Sequence, residues 1–169
     1  PPVGLRLLRE IRARSGGDLA LDAGPSEAIS YCYFQKQHLD QVNNLLGRTF
    51  WPGIDQSEAL LCPEFSIVAL YRRLVVGCAF ITPDAYLTYI AVLPGWEGAN
   101  IASFMLYHLS QSCPNKDMTL HVSAKNPAMI LYQKFGFKPE QYIVDFYDKY
   151  LPQSSWMCKN AFFMRMRRR

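Results

Sequence analysis

Charged side chains are scarce in this chain of 169 residues: 19% of the total, against 50% hydrophobic. A chain so composed can bury a core, which excludes an intrinsically disordered segment. Long apolar runs are missing too. Arg, Asp or Pro interrupts each of them well before 18 residues, so no membrane-spanning helix is expected. The first residues hold Arg6, Arg9, Arg12 and Arg14 where a secretory leader would be apolar. Pro1 rather than Met at the start is read as the mark of a fragment or a processed product. Cysteines in paired spacing are also absent. Cys32, Cys62, Cys78, Cys113 and Cys158 are odd in number, far apart and never C-x-x-C. Neither a metal site nor a disulfide framework is expected, and the compartment reads as reducing.

The net charge of +4 lacks a basic middle. Residues 1–14 hold four Arg and one Glu, and residues 165–169 hold four Arg. Residues 15–164 carry 10 basic and 13 acidic side chains. The basic ends read as solvated tails or partner contacts, and direct nucleic-acid binding is not expected. Residues 15–27 are rich in Gly, Asp and Ser, so residues 1–27 are assigned to a flexible linker. Residues 28–169 form one domain with a basic C-terminal tail.

Within that domain, aromatic and β-branched runs predict strands at 28–34, 65–71, 74–81, 86–92, 118–122, 142–146 and 161–166. The runs at 65–71 and 74–81 flank Arg72-Arg73 as a hairpin, although that turn has no Gly or Asn. Leu39, Val42, Leu45 and Leu46 have helical spacing and predict a helix over 38–50, stopped by Trp51-Pro52-Gly53. A second helix carries Ile101, Met105, His108 and Leu109 on one face. A third runs from Pro127 to Phe135, with Asn126 as its N-cap candidate and Gly136 as its stop. The fold class is a mixed α/β (α+β) sheet with helices on both faces.

Two segments carry chemistry. From Tyr89 to Ala102 a strand runs into a small-residue turn, Gly98-Ala99, that opens a helix. Amides at such a helix start bind anions such as phosphate. From Asn126 to Phe137 a helix ends in Gly-Phe, with Tyr132 one turn before its end. Together these segments resemble the GNAT superfamily of N-acetyltransferases. Its acyl-CoA loop follows V-x-P-x-x-[RQ]-x-x-G-x-[GA], and its second motif is N-x-x-A-x-x-[LF]-Y-x-x-x-G-F. Asn126, Pro127, Ala128, Leu131, Tyr132, Gly136 and Phe137 carry the second motif, and the resemblance covers about residues 28–168.

The resemblance implies the splayed central sheet of that fold, acetyl-CoA as co-substrate and an amine acceptor. The acceptor it suggests is a lysine of a histone tail or of another protein, in a ternary complex. It further implies a nuclear protein working with other subunits of a chromatin-modifying complex. Ile90, Ala91 and Val92 are then expected along the pantetheine and thioester. Glu97, Gly98, Ala99, Asn100, Ile101 and Ala102 are expected around the pyrophosphate, with Asn126 and Ala128 beside the cofactor. Tyr132 is expected to protonate the leaving thiolate. Trp51 and Asp55 are expected on one wall of the acceptor groove, and Tyr147 and Tyr150 on the other, with Glu58 or Asp148 drawing basic flanks.

Some positions depart from the family pattern. Glu97 stands where Arg or Gln is usual, and Asn100 where Gly is usual. The Glu that serves as base in some histone-directed relatives falls at Tyr86. Asp84 is the expected substitute base, acting through a water, while His121 reads first as a core histidine. The alternative function is a catalytically weak or inactive interaction module on the same fold.

Overall fold

The computed structural model describes Val3 and residues 28–147, 149–150 and 159–168. The linker assigned to 1–27, Asp148, the loop around Pro152 and Cys158 lie outside the described residues. The elements are β1 (Ser30–Cys32), α1 (Leu39–Thr49), β2 (Ser66–Tyr71), β3 (Leu74–Ile81), β4 (Tyr86–Val92), α2 (Ile101–Ser112), β5 (Met118–Ser123), α3 (Ala128–Phe135), β6 (Lys138–Ile143) and β7 (Ala161–Met166). Short helical turns at Lys36–His38, Ser57–Leu61 and Pro63–Phe65 complete the chain order. Seven strands form one sheet in the order β1-β2-β3-β4-β5-β7-β6, antiparallel except for the β4–β5 pair.

Both faces of the sheet are covered, which is why β2 and β3 read as nearly continuous apolar runs. On one face, Val68, Val75, Cys78 and Phe80 pack with Val42, Leu45 and Leu46 of α1. On the other, Ile67, Ala69, Val76 and Ala79 pack with Ile101, Met105, Leu106 and Leu109 of α2. His108, expected on that buried face, is instead half-exposed against Tyr33. The β2–β3 hairpin forms without Gly or Asn because Arg72 itself takes the left-handed conformation, φ 56°.

Gly136 ends α3 at φ 116°, as expected of a helix-stop glycine. The following strand differs from the expected 142–146. It starts at Lys138, where pairing with Arg165 begins, and stops at Ile143. The segment Lys138-Pro139-Glu140-Gln141 is polar because it lies on the exposed sheet edge. Pairing with β7 and the Glu140–Arg165 bridge at 3.0 Å hold it there instead of apolar burial. Residues 144–147 are thereby released into turns.

The basic tail is partly consumed internally. Arg165 meets Glu140 and Asp117. Arg168 donates to the carbonyls of Ser110, Cys113 and Lys116 at the end of α2. Positive charge at a helix C-terminus is favourable there.

Candidate active site

The parallel pairing of β4 with β5 is brief. Tyr86 matches Thr119 and Leu87 matches Leu120, and there the ladder stops. Beyond it the strands diverge, after a bulge in the β3–β4 pairing between Phe80 and Ile81 that adds local twist. The gap opens into a cleft of about 380 Å³. Ile90, Ala91 and Val92 line it from β4, and His121, Val122 and Ser123 from β5. Glu97 and Ala102 close one end, while Asn126, Ala128, Leu131 and Tyr132 come from the segment around α3.

Of the twelve expected cofactor residues, eight line this cleft: Ile90, Ala91, Val92, Glu97, Ala102, Asn126, Ala128 and Tyr132. Gly98, Ala99, Asn100 and Ile101 do not line it; they build the turn and the helix start behind it. Ile101 is buried against the sheet. Asn100 adopts φ 59°, the left-handed geometry for which the family uses Gly, and Asn accepts it more readily than most residues. No side chain caps α2, and its first backbone bond runs from Phe104 N–H to the Asn100 carbonyl at 3.0 Å. The amides of Ile101, Ala102 and Ser103 therefore have no partner within the helix. Glu97 turns its carboxylate onto its own loop, accepting from the Gly95 amide at 2.9 Å. Trp96, buried against Tyr71 with ring centres 5.2 Å apart, anchors this turn in the core. Sequence reading passed over Trp96, although a large aromatic inside a glycine turn is a visible signal of anchoring.

The N-cap of α3 is Pro127, not the expected Asn126, and the helix starts at Ala128; Asn126, one position earlier, still accepts the Ala128 amide on its Oδ1 at 2.9 Å. Tyr132 is 5% exposed. Burial above all, then the neighbouring Tyr147, pushes its pKa up, so it stays a protonated phenol facing the cleft.

A second chamber, of about 130 Å³, adjoins the first. The two share Phe50, Trp51, His121 and Tyr147 as walls. Tyr86, Thr88, Tyr89, Phe146 and Tyr150 complete the second one. Trp51 and Tyr150 stack flat, 4.5 Å apart and 9° from parallel. Three of the four expected acceptor-wall residues, Trp51, Tyr147 and Tyr150, are thus brought together from distant segments. Asp55 is not. Its Oδ1 accepts from the Ser57 amide at 3.0 Å, the Ser57 hydroxyl at 2.5 Å and Asn43 at 3.2 Å, and these bonds hold its pKa down. It serves as a turn residue outside the lining of either chamber.

Asp84, the expected base, is also placed apart from the two chambers. It sits at the β3–β4 turn, 93% exposed and 3.5 Å from Lys116. His121 occupies the shared wall instead of the core. In β5 the side chains of Met118, Leu120 and Val122 are buried, and those of Thr119, His121 and Ser123 face the other way. That alternation was present in the sequence as the signal for His121. Its Nδ1 lies 2.7 Å from the Tyr86 hydroxyl, and its ring stacks on Phe146 at 4.1 Å. Burial first, then the charge of Lys149, lowers the His121 pKa, so the imidazole is neutral near pH 7. Burial, with Tyr150 and Tyr89 nearby, pushes Tyr86 up to about 12. Among the described residues no cluster of His, Cys, Asp or Glu is placed to hold a metal.

Residues 63–139 match the family model described as the acetyltransferase (GNAT) domain. The chain is 50% identical to mouse Cysteine-rich protein 2-binding protein over 173 residues and 49% identical to the human one. Each alignment covers 99% of this chain and 22% of the relative, so the chain spans about a fifth of those proteins' length. Among solved structures, Arabidopsis thaliana Naa50 with a bisubstrate analogue is similar with a TM-score of 0.67 at 22% identity. That match covers 81% of this chain and 97% of the other. Chaetomium thermophilum Naa20 with a bisubstrate analogue gives 0.69 at 16% identity, covering 82% and 86%. The splayed sheet is therefore the fold of such acetyltransferases, and residues 63–139 carry a GNAT acetyltransferase domain.

Proposed function

We propose that this domain transfers acetyl from acetyl-CoA to the side-chain amine of a lysine, in a histone tail or another protein, by direct attack. One observation carries the reading. The cleft between the splayed strands and the aromatic chamber meet at His121, with Tyr132 on one side and Tyr86 on the other. A site for group transfer needs this layout: two substrates entering from different directions, with a proton acceptor and a proton donor at their junction.

The residues fit acetyl-CoA. Uncapped amides at the α2 start suit the diphosphate, and the apolar cleft along Ile90–Val92 suits the pantetheine arm. The cofactor supplies a thioester carbonyl. In the chamber, the rings of Trp51, Tyr147 and Tyr150 pack along a lysine's methylene stem, and their faces favour its cation by about 0.5–2 kcal/mol. A lysine at neutral pH is an ammonium, so one proton must leave before attack. Tyr86 passes that proton to His121 Nδ1, its own hydroxyl proton moving on as the new one arrives. Tyr132 gives its proton to the departing sulfur.

A nuclear setting within a chromatin-modifying complex is part of the same proposal, and it rests on the resemblance carried by the motif residues from Asn126 to Phe137. The names of those relatives suggest a cysteine-rich protein as a further partner. The test is thiol release from acetyl-CoA with a histone-tail peptide, alongside versions with lysines or the N-terminus blocked. Turnover lost only when lysines are blocked supports the reading. Turnover lost only when the N-terminus is blocked makes the α-amine the acceptor. No turnover with bound cofactor returns the fold to the interaction-module alternative.

A further inference from the structure

A cation of the chain's own already stands at the acceptor chamber. Lys149 Nζ lies 5.0 Å from the centre of the Tyr150 ring and 5.7 Å from that of Phe146. Both rings are chamber walls. Phe146 is stacked on His121, whose pKa is lowered first by burial and then by the positive charge of Lys149. The lysine is exposed, so its four-carbon stem is free to turn the amine inward. It is adjacent in sequence to Tyr150, which lies flat on Trp51 across the opening. An external acceptor would use the same ring faces that Lys149 occupies.

We propose that the domain acetylates its own Lys149, in cis, at the chamber that serves the external acceptor. The proposal rests on the acetyltransferase reading above. Lys149 Nζ loses one proton through Tyr86 to His121 and attacks the thioester carbonyl carbon. The C–N bond forms, the C–S bond breaks, and a second proton leaves the nitrogen. The sulfur takes a proton from Tyr132, which is then replenished. The products are an Nζ-acetyl-lysine, free CoA thiol and one proton released to solvent; no redox partner is needed.

The test incubates the whole chain, freed of prior acetylation by a lysine deacetylase, with acetyl-CoA and no peptide. Intact mass and peptide mapping follow the modification across serial protein dilution. Histone-tail peptide acetylation is measured in parallel. The expected result is one acetyl group at Lys149, formed at a rate independent of protein concentration and lost in Tyr132→Phe. Lys149→Arg removes the mapped signal and serves as the positional control. Peptide acetylation without Lys149 acetylation overturns this inference and leaves the enzyme reading standing. Equal labelling of Lys149 and other surface lysines in Tyr132→Phe also overturns it, since that is uncatalysed chemistry. A rate that scales with protein concentration refutes transfer in cis. Failure of both reactions sinks the enzyme reading and this inference together.

Discussion

Gly77 on β3 is where packing and cofactor binding meet. A Cβ at this position would lie 3.0 Å from Ile101 Cγ2, 3.2 Å from Met105 Cε and 3.3 Å from the Ala91 carbonyl oxygen. None of these neighbours gives way easily: Ile101 is 2% exposed, Met105 is 0%, and Ala91 belongs to the neighbouring strand. Two effects oppose each other in Gly77→Ala. Replacing glycine in a strand gains about 0.5–1 kcal/mol by restricting the unfolded chain. Overpacking a closed core costs about 1–3 kcal/mol. Overpacking wins, and the net loss is about 1 kcal/mol, or about 2–4 °C in Tm for a domain of this size. Gly77→Val adds two methyl groups to the same space and loses more. Because Ile101 is the first residue of α2, the strain pushes on the helix start that carries the free amides. Acetyl-CoA affinity should therefore fall along with stability, more for Val than for Ala. Urea unfolding and cofactor calorimetry on both variants give the two readings. A Gly77→Ala variant as stable as the parent, or more so, would refute the reasoning, because chain entropy would then have outweighed the contact.

Three further predictions concern the site and its frame. Tyr132→Phe keeps the ring and removes the proton donor, so kcat should fall by about 10²–10⁴ with the acetyl-CoA KM little changed; steady-state kinetics on a histone-tail peptide measure it. The folded-state pKa of His121 lies below its ordinary 6.5, so between those two values the unfolded chain binds a proton that the native chain does not. Its contribution to stability is therefore present above pH 6.5 and lost as pH falls toward the folded value. The acid limb of kcat/KM should fall below pH 6.5 as well and should weaken in Tyr86→Phe, which a pH–rate profile reads. Arg168→Ala leaves the carbonyls at the end of α2 without their guanidinium donor and should cost about 1–3 kcal/mol, seen as a lower urea midpoint.

Local patterns in the chain determined most of the elements. Strands β4 and β7 fall on the expected residues, because their apolar periodicity and bounding turn residues are local properties. Gly136 ends α3 where expected and the start at Ala128 falls one residue from the expected Pro127, because helix stops and starts act over a few residues. The cofactor cleft was legible for the same reason: strand, small-residue turn and helix follow one another in sequence.

Contacts between distant segments were decided only in three dimensions. The edge strand β6 is polar, and only its pairing with β7 makes it a strand. Asp84 and Asp55 carry suitable groups for a site, but local turns and partners hold them outside both chambers. His121 and Tyr86 are 35 positions apart, and their 2.7 Å contact exists because β4 and β5 pair for two residues before they part. The chamber likewise draws Trp51 from the end of α1 and Tyr150 from beyond β6. Periodicity can say which way a side chain points from its own strand; what stands opposite depends on sheet order, register and the place where pairing ends.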